Sequence, residues 1–272
     1  MSPSLPESTR SAVVSTLRAA GCVFAEDEAQ LLITAAGSAA DLDAMVARRV
    51  SGEPLEYVLG FAEFCGLRMA VEPGVFVPRR RSEFLVAQAA HGVSPSAVVV
   101  DMCCGSGAIG VAVIARLHMP ALHAVDIDPI AVRCARRNVT ADRAHVYEGD
   151  LYEPLPTTLR GRVDVLVANA PYVPTDEIDL LPAEARVYEA RIALDGGVDG
   201  LDIQRRVSAA APQWLAPGGR LLIETSGRQA GATVAMVVRA GLTARVATSE
   251  DFDATVVVGH KVTVGRAFSG QI

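Results

Sequence analysis

The chain has 272 residues and a net charge of −6, with half of its residues apolar and 21% charged. That length accommodates one large domain or a catalytic domain with a small companion, and the apolar half is enough for a sizeable core, which argues against disorder. Duplex DNA is disfavoured as an obligate partner, because neutralising a phosphate backbone takes a basic face.

The first segment, Met-Ser-Pro-Ser-Leu-Pro-Glu, has no charged stretch leading into an apolar one, and no apolar run reaches membrane-spanning length. The five cysteines (Cys22, Cys65, Cys103, Cys104 and Cys134) form no C-x-x-C pair, and no His/Cys spacing suits zinc, so no metal is expected. These features predict a soluble, cytoplasmic protein with reduced thiols, a monomer with neither DNA nor membrane as partner.

From about Ser4 to Ser51 apolar residues recur at helical spacing, as in Val13, Leu17, Leu42, Met45 and Val46. Punctuation at Gly21, Gly37 and Gly52 predicts three short helices, a helical N-terminal domain over residues 1–52. Residues 53–78 are turn-rich and read as a β-hairpin connector, with strand-like runs between roughly Leu55 and Val77. Over 79–272 strands and helices alternate. The expected strands are Ala97–Asp101, Ala121–Asp126, His145–Tyr147, Val163–Ala168, Arg220–Glu224, Thr243–Ala247 and Ala254–Val264. The connection between the last two is too short for a parallel crossover, so they should pair antiparallel. The predicted fold class is α/β: a mostly parallel seven-stranded sheet with an antiparallel edge, plus the small helical N-terminal domain. Residues after Arg266 are expected to be loosely held.

The first strand runs into an acid and a glycine turn before a helix: Val99-Val100-Asp101-Met102-Cys103-Cys104-Gly105-Ser106-Gly107-Ala108. Glycines here let a ligand approach the backbone at the carboxyl end of a strand, where doubly wound sheets bind nucleotides. No Gly-Lys-Ser/Thr follows, so a phosphate loop is excluded, whereas a dinucleotide site stays open on this segment alone. Asp126 closes the second strand at the distance suited to ribose hydroxyls, and Asp150-Leu151 follows the third, with an acid for an adenine amine and an apolar cover for its ring.

The fourth strand ends Ala168-Asn169-Ala170-Pro171-Tyr172. This segment resembles the Asn-Pro-Pro-Tyr/Phe signature of methyltransferases acting on planar amines and amides. The chain as a whole resembles their HemK-type branch, the glutamine side-chain amide methyltransferases of class I release factors. The resemblance runs through Tyr57-Val58-Leu59-Gly60, Phe64-Cys65-Gly66-Leu67, Phe76-Val77-Pro78-Arg79 and Tyr188 to Leu201, and covers nearly the whole chain. It implies a Rossmann-like class I methyltransferase domain over 79–272 and a substrate-recognition role for the N-terminal helices. It implies S-adenosyl-L-methionine as donor, held by Phe76, Pro78, Asp101, Cys103, Cys104, Gly105, Ser106, Gly107, Asp126, Ile127, Asp150, Leu151 and Asn169. It also implies Asn169, Ala170, Pro171 and Tyr172 as the catalytic group, with a protein acceptor carrying a glutamine, a peptide chain release factor being the example. In that reading Asn169 and the carbonyl of residue 170 accept the two amide hydrogens while Tyr172 stacks on the flat acceptor.

The chain departs from the family pattern at Cys103 and Ala170, which replace a glycine and a proline, and at Ala190, which replaces the proline after Glu189. Arg79-Arg80-Arg81-Ser82-Glu83 stands for Arg-Pro-Glu-Thr-Glu, and Glu224-Thr225-Ser226 for Glu-Ile-Gly. The three arginines read mainly as an exposed turn, Glu189 as either a residue beside the site or a surface ion pair, and the five histidines carry no role. Adenine amino methylation uses the same signature but predicts a basic surface and an added target-recognition domain. The altered positions also leave open a small-molecule nitrogen acceptor, or a donor-binding relative without turnover.

Overall fold

The computed structural model describes residues 7–262. The expectation for the residues after Arg266, and the last two residues of the final predicted strand, lie outside that range.

Helices α1 (Glu7–Ala19), α2 (Ala25–Ala35) and α3 (Ala39–Val50) open the described chain. Ser38 caps α3 by accepting from the Asp41 amide at 3.1 Å, and Arg48 and Arg49 sit in its last turn, where cations suit the carbonyl end of a helix. Val13, Leu17, Ala29, Leu32, Leu42 and Met45 bury one face of each helix in a shared core. Val58 joins that core from a fourth helix, α4 (Leu55–Leu59). The connector therefore begins as a helix: Pro54 leads into it, and Val58 is drawn into the helical core with Leu55 and Leu59 packed beside it. Only then does the hairpin of β1 (Phe61–Phe64) and β2 (Leu67–Ala70) follow.

Helix α5 (Ser82–Ala90), which periodicity does not reveal, leads into the sheet. Its strands are β3 (Val98–Met102), β4 (Ala121–Asp126), β5 (Ala144–Glu148), β6 (Val163–Ala168), β7 (Leu215–Thr225), β8 (Thr243–Ser249) and β9 (Ala254–His260). They lie in the order β5-β4-β3-β6-β7-β9-β8, parallel except for β9, which is antiparallel to both β7 and β8. Strands β3, β4 and β6 are buried along almost their whole length, as expected where helices cover both faces of a parallel sheet. On one face α5 and α6 (Ala108–Ile114) bury Leu85, Val86, Ala112 and Val113 against Val99, Val165 and Leu222. On the other, α9 (Asp202–Trp214) and α10 (Ala230–Arg239) bring Val207, Trp214 and Val237 onto Val100, Leu166 and Leu221. Helix α7 (Pro129–Asn138) packs on β4 and β5; Asp128 caps it, accepting from the Ile130 amide at 2.8 Å, and Pro129 starts it. A short α8 (Ala183–Tyr188) lies in the long segment between β6 and α9.

The chain leaves β3 towards β4 and β5 on one side and returns at β6 on the other. Such a reversal opens a crevice at the carboxyl ends of the two central strands, since the loops after them diverge.

Candidate active site

A cavity of about 440 Å³ fills that crevice. Of the residues expected at the donor and the acceptor, Phe76, Pro78, Cys103, Cys104, Gly105, Ser106, Asp126, Ile127, Asp150, Leu151, Asn169, Ala170, Pro171 and Tyr172 line it. Asp101 and Gly107 do not. The Asp101 side chain is fully buried beneath α6, where Oδ2 accepts from the Gly110 amide at 2.7 Å, so it ties the strand to the helix instead of facing the cavity. Gly107 turns the other way, and a Cβ on it would stand 3.0 Å from the Val139 side chain, so its role is to let the loop pack on the end of α7.

The loop after β3 is held by the next strand. Asp126 accepts from the Gly105 amide through Oδ2 at 2.8 Å and from the Asp128 amide through Oδ1 at 3.0 Å. Each carboxylate oxygen keeps a second lone pair, so the group can bind a hydroxyl while it organises the loop. Burial pushes its pKa up, against the pull of those backbone donors. Cys103 lies in the left-handed region at φ 58°, as does Leu151 at 50°, so two cavity residues with side chains adopt backbones that favour glycine. Burial and the neighbouring Asp126 and Asp101 push the Cys103 thiol well up, which makes it a packing group and not a nucleophile. Asp150 already pairs with Arg206 at 2.6 Å through Oδ2, which leaves Oδ1 for any ligand.

At the other end Asn169 follows β6. Its Nδ2 donates to Ser82 Oγ at 3.4 Å. Among the described residues no donor reaches Asn169 Oδ1 or the Ala170 carbonyl oxygen. The Tyr172 carbonyl, two residues on, is by contrast engaged by Gln229 Nε2 at 2.9 Å, and Val173 exchanges backbone hydrogen bonds with Leu194 and Gly196. The loop is thus tied down on its far side and leaves two acceptors without partners on residues that line the cavity. The Tyr172 ring carries the Arg81 guanidinium 5.9 Å from its centre, and burial with the nearby Glu224 pushes its phenol up to about 12. A neutral, half-buried aromatic wall beside paired hydrogen-bond acceptors suits a flat, uncharged amide.

The chain has relatives among known proteins. Residues 66–199 match the methyltransferase small domain family. The release factor glutamine methyltransferase of Geobacter sulfurreducens is 43% identical over 199 residues, which cover 72% of this chain and 69% of that one. That of Bifidobacterium longum is 32% identical over 274 residues, covering 88% and 92%. The chain belongs to the release factor glutamine methyltransferase family. A solved methyltransferase from Pyrococcus furiosus shares the fold with a TM-score of 0.54 over 72% of this chain and 90% of that one, at 15% identity.

Against the release factor glutamine methyltransferase pattern, the structure narrows one open reading. Glu189 forms no surface ion pair: its side chain is 1% exposed, and Oε1 accepts from Arg79 at 2.6 Å and from the Val77 amide at 3.0 Å. Of the three arginines, Arg80 and Arg81 sit exposed in a turn, as expected, and Arg79 is half-buried. Arg79 lies over the Phe76 ring and Arg81 faces Glu224, while Arg80 approaches Phe252. Ser82, Gln229 and Arg206 are the residues that sequence reading passes over. Serine, glutamine and arginine are common surface residues, and only their meeting with Asn169, Tyr172 and Asp150 gives them a place.

Proposed function

We propose that this chain transfers a methyl group from S-adenosyl-L-methionine to the side-chain amide nitrogen of a glutamine in a protein, and that the protein is a peptide chain release factor. The observation that carries the reading is the pair of unengaged acceptors, Asn169 Oδ1 and the Ala170 carbonyl, on two consecutive residues that line the cavity. An amide nitrogen is a weak nucleophile, since its lone pair is shared with the carbonyl. Two acceptors, one for each N–H, raise its electron density and fix where the lone pair points.

The donor end suits the proposed methyl donor. Asp126 keeps lone pairs for ribose hydroxyls, Leu151 and Ile127 offer apolar cover for a flat ring, and Asp150 Oδ1 is left to meet an exocyclic amine. When bound, S-adenosyl-L-methionine supplies a methyl group on sulfonium, whose C–S bond breaks with the electron pair left on sulfur as the acceptor nitrogen forms the new C–N bond. Asn169 and residue 170 hold the nitrogen in line, and Tyr172 flanks the amide plane. The nitrogen then sheds one proton to water, so the site needs orientation and aimed dipoles more than a general base. In this reading helices α1 to α4 help to seat the acceptor protein, and Arg49 on α3 reaches the cavity rim through Glu184 at 2.6 Å. The reading carries with it a cytoplasmic enzyme acting as a monomer.

Incubation with labelled donor and a purified release factor, followed by peptide mapping, tests it. Label should appear on a single glutamine, and Asn169→Ala should lower turnover about 100-fold, the scale of losing one preorganised polar group, while S-adenosylhomocysteine still binds. Label confined to nucleic acid or to small amines, with none on glutamine, overturns the proposal.

A further inference from the structure

Glu224 ends β7, and the register that pairs Ala168 with Ile223 sets it beside Asn169. Its side chain is 2% exposed, and neither carboxylate oxygen has a hydrogen-bond partner among the described residues. The nearest cation, Arg81, holds Nε 3.4 Å from Oε1, as an ion pair without hydrogen-bond geometry. A buried acid so poorly satisfied beside a reacting site is costly for the fold alone. Burial pushes this carboxyl up, while Ser82, Arg81 and Tyr172, which face it, pull it back.

Ser82 supplies the connection. It is 1% exposed, and its Oγ accepts from Asn169 Nδ2 at 3.4 Å; it faces the Glu224 carboxylate short of hydrogen-bond geometry, with its own proton free to turn towards that acid. A side-chain amide is nearly symmetric in shape and turns end for end unless its neighbours distinguish nitrogen from oxygen. A hydroxyl that turns its proton to a carboxylate can only accept from Asn169. That selects the rotamer with Nδ2 on Ser82 and Oδ1 towards the cavity.

We propose that Glu224 is a positioning residue for methyl transfer: through the Ser82 hydroxyl it fixes the rotation of the Asn169 amide and aims Oδ1 at the acceptor nitrogen. The inference rests on the amide-clamp reading above. It gives the carboxylate a second effect, because the positive charge that leaves sulfur arrives on the acceptor nitrogen, and a buried negative group behind Asn169 favours that arrival.

The test compares Glu224→Gln, Ser82→Ala and Ser82→Thr in the full chain, with two readouts. One is kcat and KM on the release factor; the other is the Asn169 side-chain amide signal in nitrogen-15 spectra of the S-adenosylhomocysteine complex, assigned by its loss in Asn169→Ala. Glu224→Gln and Ser82→Ala should lower kcat about 10- to 100-fold, the scale of misorienting a reacting pair, with KM within about threefold. Both should shift the amide signal and speed its exchange. The double variant should be no worse than the poorer single one, and Ser82→Thr, which keeps the hydroxyl, should retain both rate and signal. An unchanged Asn169 signal in Glu224→Gln and Ser82→Ala overturns the proposal, as does a double variant whose losses multiply. Absence of glutamine methylation by the unaltered protein sinks the functional reading instead, and the amide signal still decides whether Glu224 orients Asn169.

Discussion

Gly200 lies so close to Tyr172 that a Cβ added to it would stand 2.3 Å from the Tyr172 carbonyl oxygen. The loop before α9 therefore packs directly on the backbone of the Asn169–Tyr172 segment, and no side chain fits between them. The residue also holds φ at 75°, where any substituent adds strain. Gly200→Ala should cost about 2 kcal/mol or more of stability, from clash and backbone strain together. It should also lower turnover beyond the loss of folded protein, because the segment it displaces carries the proposed acceptor clamp. Urea unfolding beside kcat measured on folded protein checks this; an unperturbed kcat would mean that the clamp is held elsewhere.

Cys103 in the left-handed region makes a prediction about rank order. At an extended or helical position alanine is more stable than glycine, since glycine loses more chain entropy on folding. At φ 58° the order should reverse, with Cys103→Gly exceeding Cys103→Ala in stability by about 1 kcal/mol. Thermal unfolding of the two variants decides it, and alanine above glycine would contradict the strained backbone.

Asp126 organises two backbone amides with two oxygens, a task asparagine cannot repeat because its Nδ2 would face one of those N–H groups. Asp126→Asn should weaken S-adenosylhomocysteine binding about tenfold or more, the worth of a hydrogen bond to a charged group. Calorimetric titration gives the number. Undiminished affinity would remove Asp126 from the proposed ribose site.

Asp101 should leave a mark on the pH dependence of stability. Burial pushes its carboxyl up to about 8, against the pull of the Gly110 amide, and Oδ1 has no partner among the described residues. The folded chain thus holds a proton that the unfolded chain releases near pH 4. Its contribution is full below that value and is lost as pH rises towards 8. Asp101→Asn keeps an acceptor for Gly110 without the ionisation. Relative to this variant, the unaltered protein should lose at least about 1 kcal/mol between pH 5 and pH 9. Parallel denaturation curves at the two pH values test the sign, and a difference that is flat or reversed would show that Asp101 ionises freely.

The sheet strands and the antiparallel closing pair were legible in the amino-acid order because those signals are local, although β7 starts at Leu215 rather than at Arg220, across an irregularity in its pairing with β6. Apolar runs such as Val163–Ala168 end in residues that cannot continue a buried strand, and the short connection between Ser249 and Ala254 permits only an antiparallel return. The glycine turn and the Asn-Ala-Pro-Tyr segment were legible for the same reason, each being a contiguous run with an unusual composition. Helix α4 and helix α5 were not: α4 is five residues long and gains its stability by lending Val58 to a core built from α1 to α3, and α5 is nearly uniformly apolar, without a polar stripe to mark its period. Nor could residue order say that Asp101 turns under α6, that Glu189 is buried against Arg79, or that Ser82 meets Asn169. Those partners lie far apart along the chain. Only the packing of β6 beside β7, with α5 laid over them, decides that they meet.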